Sequence, residues 1–157
     1  KYTRLVLEIN KMPFQKQEEI LHEILSHKLF RRDCQDSTGI GMQMAENAQI
    51  KFGKFRVEGV TFTNRVKEDL AYRLRTEFEN KTVFIPKSHE IREDLHSVRR
   101  ITTASHNIRF DADHSENGHA DRFWALALAL HAADNGSGQI NISTRKRYET
   151  LKLVEGF

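Results

Sequence analysis

Cysteine is almost missing from this chain, with one residue, Cys34, in 157. A single thiol excludes an intrachain disulfide and any zinc module built on several cysteines, and it fits a reducing compartment. Proline and glycine are scarce as well, at two and eight residues, which excludes collagen-like and low-complexity classes. Long apolar runs are absent. The run Trp124 to Leu130 falls far short of the roughly 20 residues of a bilayer span, and no apolar leader follows Lys1. No membrane association is therefore expected. Neither sign of charge dominates, because 25 Lys and Arg stand against 22 Asp and Glu, a net +3. That bias permits nucleic-acid binding without requiring it. What remains, 38% hydrophobic and 30% charged residues, describes one globular domain large enough to bury a core without metal or disulfide support. A strand-like run begins at once at Tyr2 with no initiator methionine before it, so the chain is expected to be a fragment of a longer polypeptide.

Strand and helix patterns alternate along the chain. Tyr2 to Ile9 mixes β-branched, aromatic and polar residues in near alternation and reads as a strand. Pro13 suits a helix start, and Ile20, Leu21, Ile24, Leu25 and Leu29 follow at helical spacing. Phe30 to Gln35 is a short strand ending at Asp36, and the turn Ser37-Thr38-Gly39-Ile40-Gly41 leads into a helix to about Lys51. Arg56 to Phe62 reads as a strand, Thr63 as an N-cap, and Val66, Leu70, Leu74 and Phe78 as the inner face of the next helix. Thr82 to Pro86 is a short strand, Ser88 caps a helix, and Arg99 to Ala112 forms a hairpin turning near Ser105 to Asn107. The helix from His119 to Ala133 is apolar almost all round, which predicts burial of Phe123, Trp124, Leu126 and Leu130 against a sheet. This pattern gives an α/β class with a mixed sheet flanked by helices, the domain spanning 1–135 and a polar, basic tail 136–157.

Two places can carry chemistry. Asp36 ends a short buried strand, where ligands bind in open α/β sheets, and Gly39 and Gly41 would let backbone approach closely. The other reading of Asp36 is a turn or helix cap. No lysine followed by Ser or Thr completes a Walker A loop there, so nucleotide hydrolysis is excluded for this segment. Gly118-His119-Ala120-Asp121 opens the late helix, where imidazole and carboxylate could hold a divalent cation, or Asp121 could serve only the helix dipole. His106, His114 and His131 read as structural. Carboxylates from distant segments converging on a pair of ions about 4 Å apart are the design of two-metal phosphodiester hydrolysis, which Asp36 and Asp121 suit.

Three segments together carry a family resemblance: CQDSTGIGMQMAE (Cys34 to Glu46), VEGVTFTN (Val57 to Asn64) and, most specifically, GHADRFWALALALHAA (Gly118 to Ala133). In this order they resemble the nuclease domain of phage terminase large subunits, in particular those of Mu-like phages and prophages. The resemblance runs from about Tyr2 to Ala133 and implies a ribonuclease H-like fold, Mg²⁺ or Mn²⁺ in a two-metal site, and cleavage of double-stranded phage DNA during packaging. It also implies the terminase small subunit and portal as partners and the cytoplasm of a bacterial host as the setting. Asp36 falls on the second acidic motif and Asp121 on the third, with His119 beside it. The first acidic motif would precede Lys1, and Glu8 is the only acid in Lys1 to Asn10, so the isolated chain is expected to be weakly active or inactive. Among basic residues, Lys67 and the hairpin residues Arg99, Arg100 and Arg109 are the expected DNA contacts. Two other readings stay open: another ribonuclease H-like nuclease such as a resolvase, and a non-catalytic DNA-binding or portal-docking fragment.

Overall fold

The computed structural model describes residues 1–103, 108–112 and 120–134. Its elements in chain order are α1 (Phe14–Ser26), β1 (Asp33–Asp36), α2 (Gly41–Phe52), β2 (Val57–Val60), α3 (Asn64–Glu79), α4 (His89–Ser97), β3 (Val98–Thr102), β4 (Ile108–Ala112) and α5 (Asp121–Asp134). The tail 136–157, the tip of the hairpin, and His106, His114 and His119 lie outside the described residues.

The caps work as their chemistry requires. The Thr63 hydroxyl accepts from the Val66 N–H at 3.2 Å and the Ser88 hydroxyl from the Ile91 N–H at 3.2 Å, each satisfying one donor that the first helical turn leaves without a partner. α1 starts directly after Pro13 and ends at Ser26. Leu29, assigned to that helix by its spacing, lies beyond the end and is exposed.

β1 and β2 pair in parallel across α2, with Cys34 opposite Glu58 and Asp36 opposite Val60. β3 and β4 pair antiparallel, with Arg99 opposite Asp111 and Arg100 opposite Phe110. The expected mixture of parallel and antiparallel pairing is present, as two separate ladders among the described residues. α3, α5 and the inner face of β4 enclose the larger core of Val60, Leu70, Leu74, Phe110, Trp124 and Leu128. A smaller core of Leu25, Ala48 and Val57 fixes α1 and α2 to β2. In α5, Phe123, Trp124 and Leu130 are buried as expected, while Leu126 is half-buried.

The expected strand over Tyr2 to Ile9 does not form. Tyr2 makes a single parallel bridge to Phe84, with rings stacked at 4.6 Å, and Thr82 to Pro86 is likewise reduced to that bridge. Leu5, Val6 and Leu7 remain exposed. Alternation alone does not make a strand where, among the described residues, no neighbouring backbone is placed to complete the ladder.

Candidate functional site

The turn after β1 is built around Asp36. Its Oδ1 accepts the Thr38 N–H at 2.9 Å, closing an Asx-type turn, and Gly39 follows at φ +58°. The capping role is thus real, yet one such bond leaves most of the acceptor capacity of a carboxylate unspent. Gly41 lies so close behind the turn that a Cβ there would come within 2.2 Å of the Asp36 carbonyl oxygen. The loop after β2 closes on the same turn, because the Phe62 N–H donates to the Thr38 hydroxyl at 3.2 Å.

α5, which Asp121 opens, starts near the Phe62 loop. Near its start, the Trp124 ring lies 5.4 Å from the Phe62 ring. Near its end, Nε2 of His131 lies 3.4 Å from Glu58 Oε2, and Cys34 Sγ lies 3.6 Å from that same oxygen. Helix α5 therefore runs against the direction of β1 and β2, covering the face that Cys34 and Asp36 share. His131 sits over the middle of the ladder, and Asp121, about 15 Å back along the helix, lies toward its carboxyl end. Asp36 lies half-buried at the carboxyl end of β1, and Asp121 is exposed in the first turn of α5, where it lines a cavity with the N-terminal segment and Asp94 of α4. Ala120, immediately before the helix, is buried with φ +57°, and the Asp94 carboxylate of α4 accepts the Arg122 N–H at 3.0 Å in the manner of a cap.

Lys67 is at this end too. Its Nζ lies 5.1 Å from the Trp124 ring centre and 5.8 Å from that of Phe62, a cation held over two aromatic faces. The hairpin arginines are all exposed, but strand alternation divides them. Arg99 and Arg109 share one face, whereas Arg100 lies on the other, opposite Phe110. Arg109 pairs with Asp111 and holds that carboxyl below its usual range.

Among the described residues, the His, Cys, Asp and Glu side chains that cluster at metal-ligand spacing are a different set: Cys34, Glu58 and His131, within 4.8 Å of one another. Their chemistry opposes a metal. Arg32 forms an ion pair with Glu58, and Arg73 donates to Nδ1 of His131 at 2.9 Å. Guanidinium is only a donor, so Nδ1 is the acceptor and Nε2 carries the proton, directed at Glu58. A metal on Nε2 would displace that proton with no ring nitrogen free to take it. Burial pushes the Cys34 thiol up to about 12, with the Glu58 charge adding to the effect. The set is a buried charge network tying α5 and α3 to the parallel pair. Sequence spacing gave no sign of Glu58, Arg32 or Arg73, whose partners are distant in the chain.

The fold and site geometry agree with comparison to known proteins. The Terminase RNaseH-like domain family matches residues 2–133. The chain belongs to this family. The "Mu-like prophage FluMu protein gp28" of Haemophilus influenzae is 27% identical over 140 residues, 87% of this chain and 27% of gp28. The large terminase nuclease from thermophilic phage G20c with bound cobalt superposes with a TM-score of 0.66 at 25% identity, covering 78% of this chain and 64% of that one. The magnesium-bound form of that nuclease gives 0.51 at 29% identity, covering 61% and 49%. The ribonuclease H-like α/β fold and the kinship with phage large terminase nucleases and with a Mu-like prophage protein, expected from three sequence segments, are thereby established. The chain spans about a quarter of gp28 and about two-thirds or less of the solved terminase nucleases. Among the described residues of this family member, no helix is long and apolar enough to cross a membrane.

Proposed function

We propose that the chain is the metal-dependent endonuclease domain of a phage DNA-packaging terminase large subunit, cutting double-stranded phage DNA in the host cytoplasm. The observation that supports this reading is Asp36 in the turn that ends β1 and holds the Phe62 N–H through Thr38, with Asp121 opening the helix whose Trp124 ring lies 5.4 Å from Phe62. Hard oxygen donors of this kind suit Mg²⁺ or Mn²⁺, and the similar G20c nuclease has been solved with cobalt and with magnesium. A two-ion site supplies an activated water and stabilises the leaving oxygen of the phosphodiester. Asp36 and Asp121 would hold the ions, with His119 as a supplementary ligand. Together the two carboxylates carry −2 against +4, so further anionic ligands, the substrate phosphate included, complete the balance. Lys67, Arg99, Arg100 and Arg109 would contact phosphates. The remaining assignments, a nuclease domain of 1–135 with a separate tail 136–157, and the terminase small subunit and portal as partners, belong to the same proposal.

The test is cleavage of supercoiled plasmid with Mg²⁺ or Mn²⁺, paired with Mn²⁺ titration of the same protein. Asp36→Asn and Asp121→Asn should each remove both cleavage and specific Mn²⁺ binding, while DNA binding persists. Cutting that survives EDTA, or full cleavage by Asp121→Asn, would exclude the mechanism. DNA binding indifferent to metal and to both substitutions would favour a non-catalytic module.

A further inference from the structure

We propose that Arg122 is a positioning residue for Asp121, acting through a clamp formed by Glu8 and Asp94. The inference rests on the metal-binding role proposed above for Asp121. Arg122 is the next residue after Asp121 in the first turn of α5, and three parts of the chain meet on it. Its Nε and NH2 form a fork with the two oxygens of Glu8, at 2.6 Å each, from the extended N-terminal segment. Its NH1 lies 3.4 Å from Asp94 Oδ2 of α4, and the same oxygen accepts the Arg122 backbone N–H at 3.0 Å. One carboxylate therefore holds both the main chain and the side chain of Arg122, and the other locks the guanidinium plane from the opposite side.

The consequence falls on Asp121 because of how α5 begins. Ala120 takes a left-handed conformation, φ +57°, and the helix turns immediately after it. The Phe123 and Trp124 N–H groups both donate to the Ala120 carbonyl, at 3.0 and 3.2 Å. Rotation or fraying of this turn redirects the Asp121 side chain by about 100° per residue of register. Metal ligation tolerates little such error, since displacements of about 1 Å are costly in a positioned site. The clamp also flanks an open cavity of about 760 Å³, lined by Glu8, Asp94, Asp121 and Arg122 among others, so the turn has solvent on one side instead of packing. Glu8 is half-exposed, and an ion pair of that kind adds little to global stability. Holding the geometry of one turn is what the arrangement can do well.

The experiment compares Arg122→Gln, Arg122→Lys and Glu8→Gln with the unmodified protein and with Asp121→Asn. Amide hydrogen exchange is read at Phe123 and Trp124, with Val57 in β2 as internal reference, and Mn²⁺ affinity is read by titration with the metal alone. In Arg122→Gln the two α5 amides should exchange at least about tenfold faster while Val57 is unchanged, and Mn²⁺ affinity should fall about tenfold without a comparable change in melting temperature. Arg122→Lys, which keeps the charge but loses the fork, and Glu8→Gln should lie between. Unchanged exchange at Phe123 and Trp124 in Arg122→Gln overturns the proposal whatever the metal does. Faster exchange with unchanged Mn²⁺ affinity overturns it as well, provided Asp121→Asn loses the metal. If Asp121→Asn binds Mn²⁺ as the unmodified protein does, the metal-site reading itself fails, and the positioning role falls with it.

Discussion

Arg73 donates to Nδ1 of His131 at 2.9 Å, and this contact fixes which ring nitrogen carries the proton. His131 then presents Nε2–H to Glu58, which Arg32 also engages. A helix, α5, is thereby tied through a buried polar group to the strand next to the one that ends in Asp36. The network lies one strand position behind the turn on which the proposed chemistry depends, since Cys34 and Asp36 share a face of β1.

Breaking that network from the acidic side should be costly. In Glu58→Gln, Arg32 keeps its charge but loses its anionic partner, while Glu58 and His131 are both buried. A destabilisation of about 3–5 kcal/mol is expected, the range for removing one member of a buried ion pair, and urea unfolding measures it. Because the tautomer held by Arg73 is the wrong one for ligation, Cys34→Ser should leave any Zn²⁺-induced shift of the melting temperature the same as in the unmodified protein.

Asp33 predicts a pH dependence of opposite sense to an ordinary ion pair. Burial raises its carboxyl from 3.8 to about 6, against hydrogen bonds from Gln35 and the Cys34 backbone that favour the charged form. The unfolded chain releases this proton first, so the contribution of Asp33 to stability is greatest below about pH 4. It declines as pH rises and levels off above about pH 6, by at most about 3 kcal/mol. Asp33→Asn should flatten the stability profile between pH 4 and 6 and raise stability at pH 7. Chemical denaturation across that interval reads both effects, and an unchanged profile would remove Asp33 as their source.

The two glycines of the Asp36 turn should respond differently to alanine. At Gly39 the space is open and only the left-handed φ of +58° opposes a side chain, a cost of about 1 kcal/mol. At Gly41 the new Cβ meets the Asp36 carbonyl oxygen at 2.2 Å, and backbone must move. Gly41→Ala should destabilise by about 1–3 kcal/mol and weaken Mn²⁺ binding together with Asp36→Asn, whereas Gly39→Ala should retain it. Equal metal affinity in Gly41→Ala and the unmodified protein would show that the turn does not set the position of Asp36.

Local rules made much of this legible in the sequence. Thr63 and Ser88 cap the helices they were expected to cap, and the all-round apolarity of α5 announced its burial. Asp36 and Asp121 could be singled out because a strand end and a helix start are places where polar side chains are left exposed to ligands. Long-range partners were not legible. Nothing near Glu58 in the chain indicates that Arg32 and His131 will meet it, and nothing near Glu8 indicates Arg122. Tyr2 to Ile9 misled because its alternation matches a strand, while pairing depends on which backbone lies alongside. Basic residues on the hairpin counted together in sequence are separated by the two-residue period of the strands, which puts Arg100 on the face opposite Arg99 and Arg109.

Lys67 offers the sharpest test of where DNA lies. Its ammonium is held over Trp124 and Phe62, and Phe62 is bonded through its N–H to the Asp36 turn, so this charge is fixed at the proposed cleavage end. A phosphate arriving there would meet a positioned cation whose side-chain freedom is already restricted by the rings. Each phosphate neutralised releases condensed counterion, and losing one such contact lowers the slope of log affinity against log salt by about 0.9. Lys67→Ala should therefore reduce the slope by about that amount in fluorescence anisotropy titrations of a duplex, performed in EDTA so that cleavage does not intervene. Lys67→Arg, which keeps the charge and stacks on aromatic faces, should preserve the slope. Lys16 on α1, exposed and already paired with Glu19 at 2.7 Å, provides the control, and Lys16→Ala should leave the slope unchanged. An unchanged slope in Lys67→Ala would place the duplex away from this end of the parallel pair.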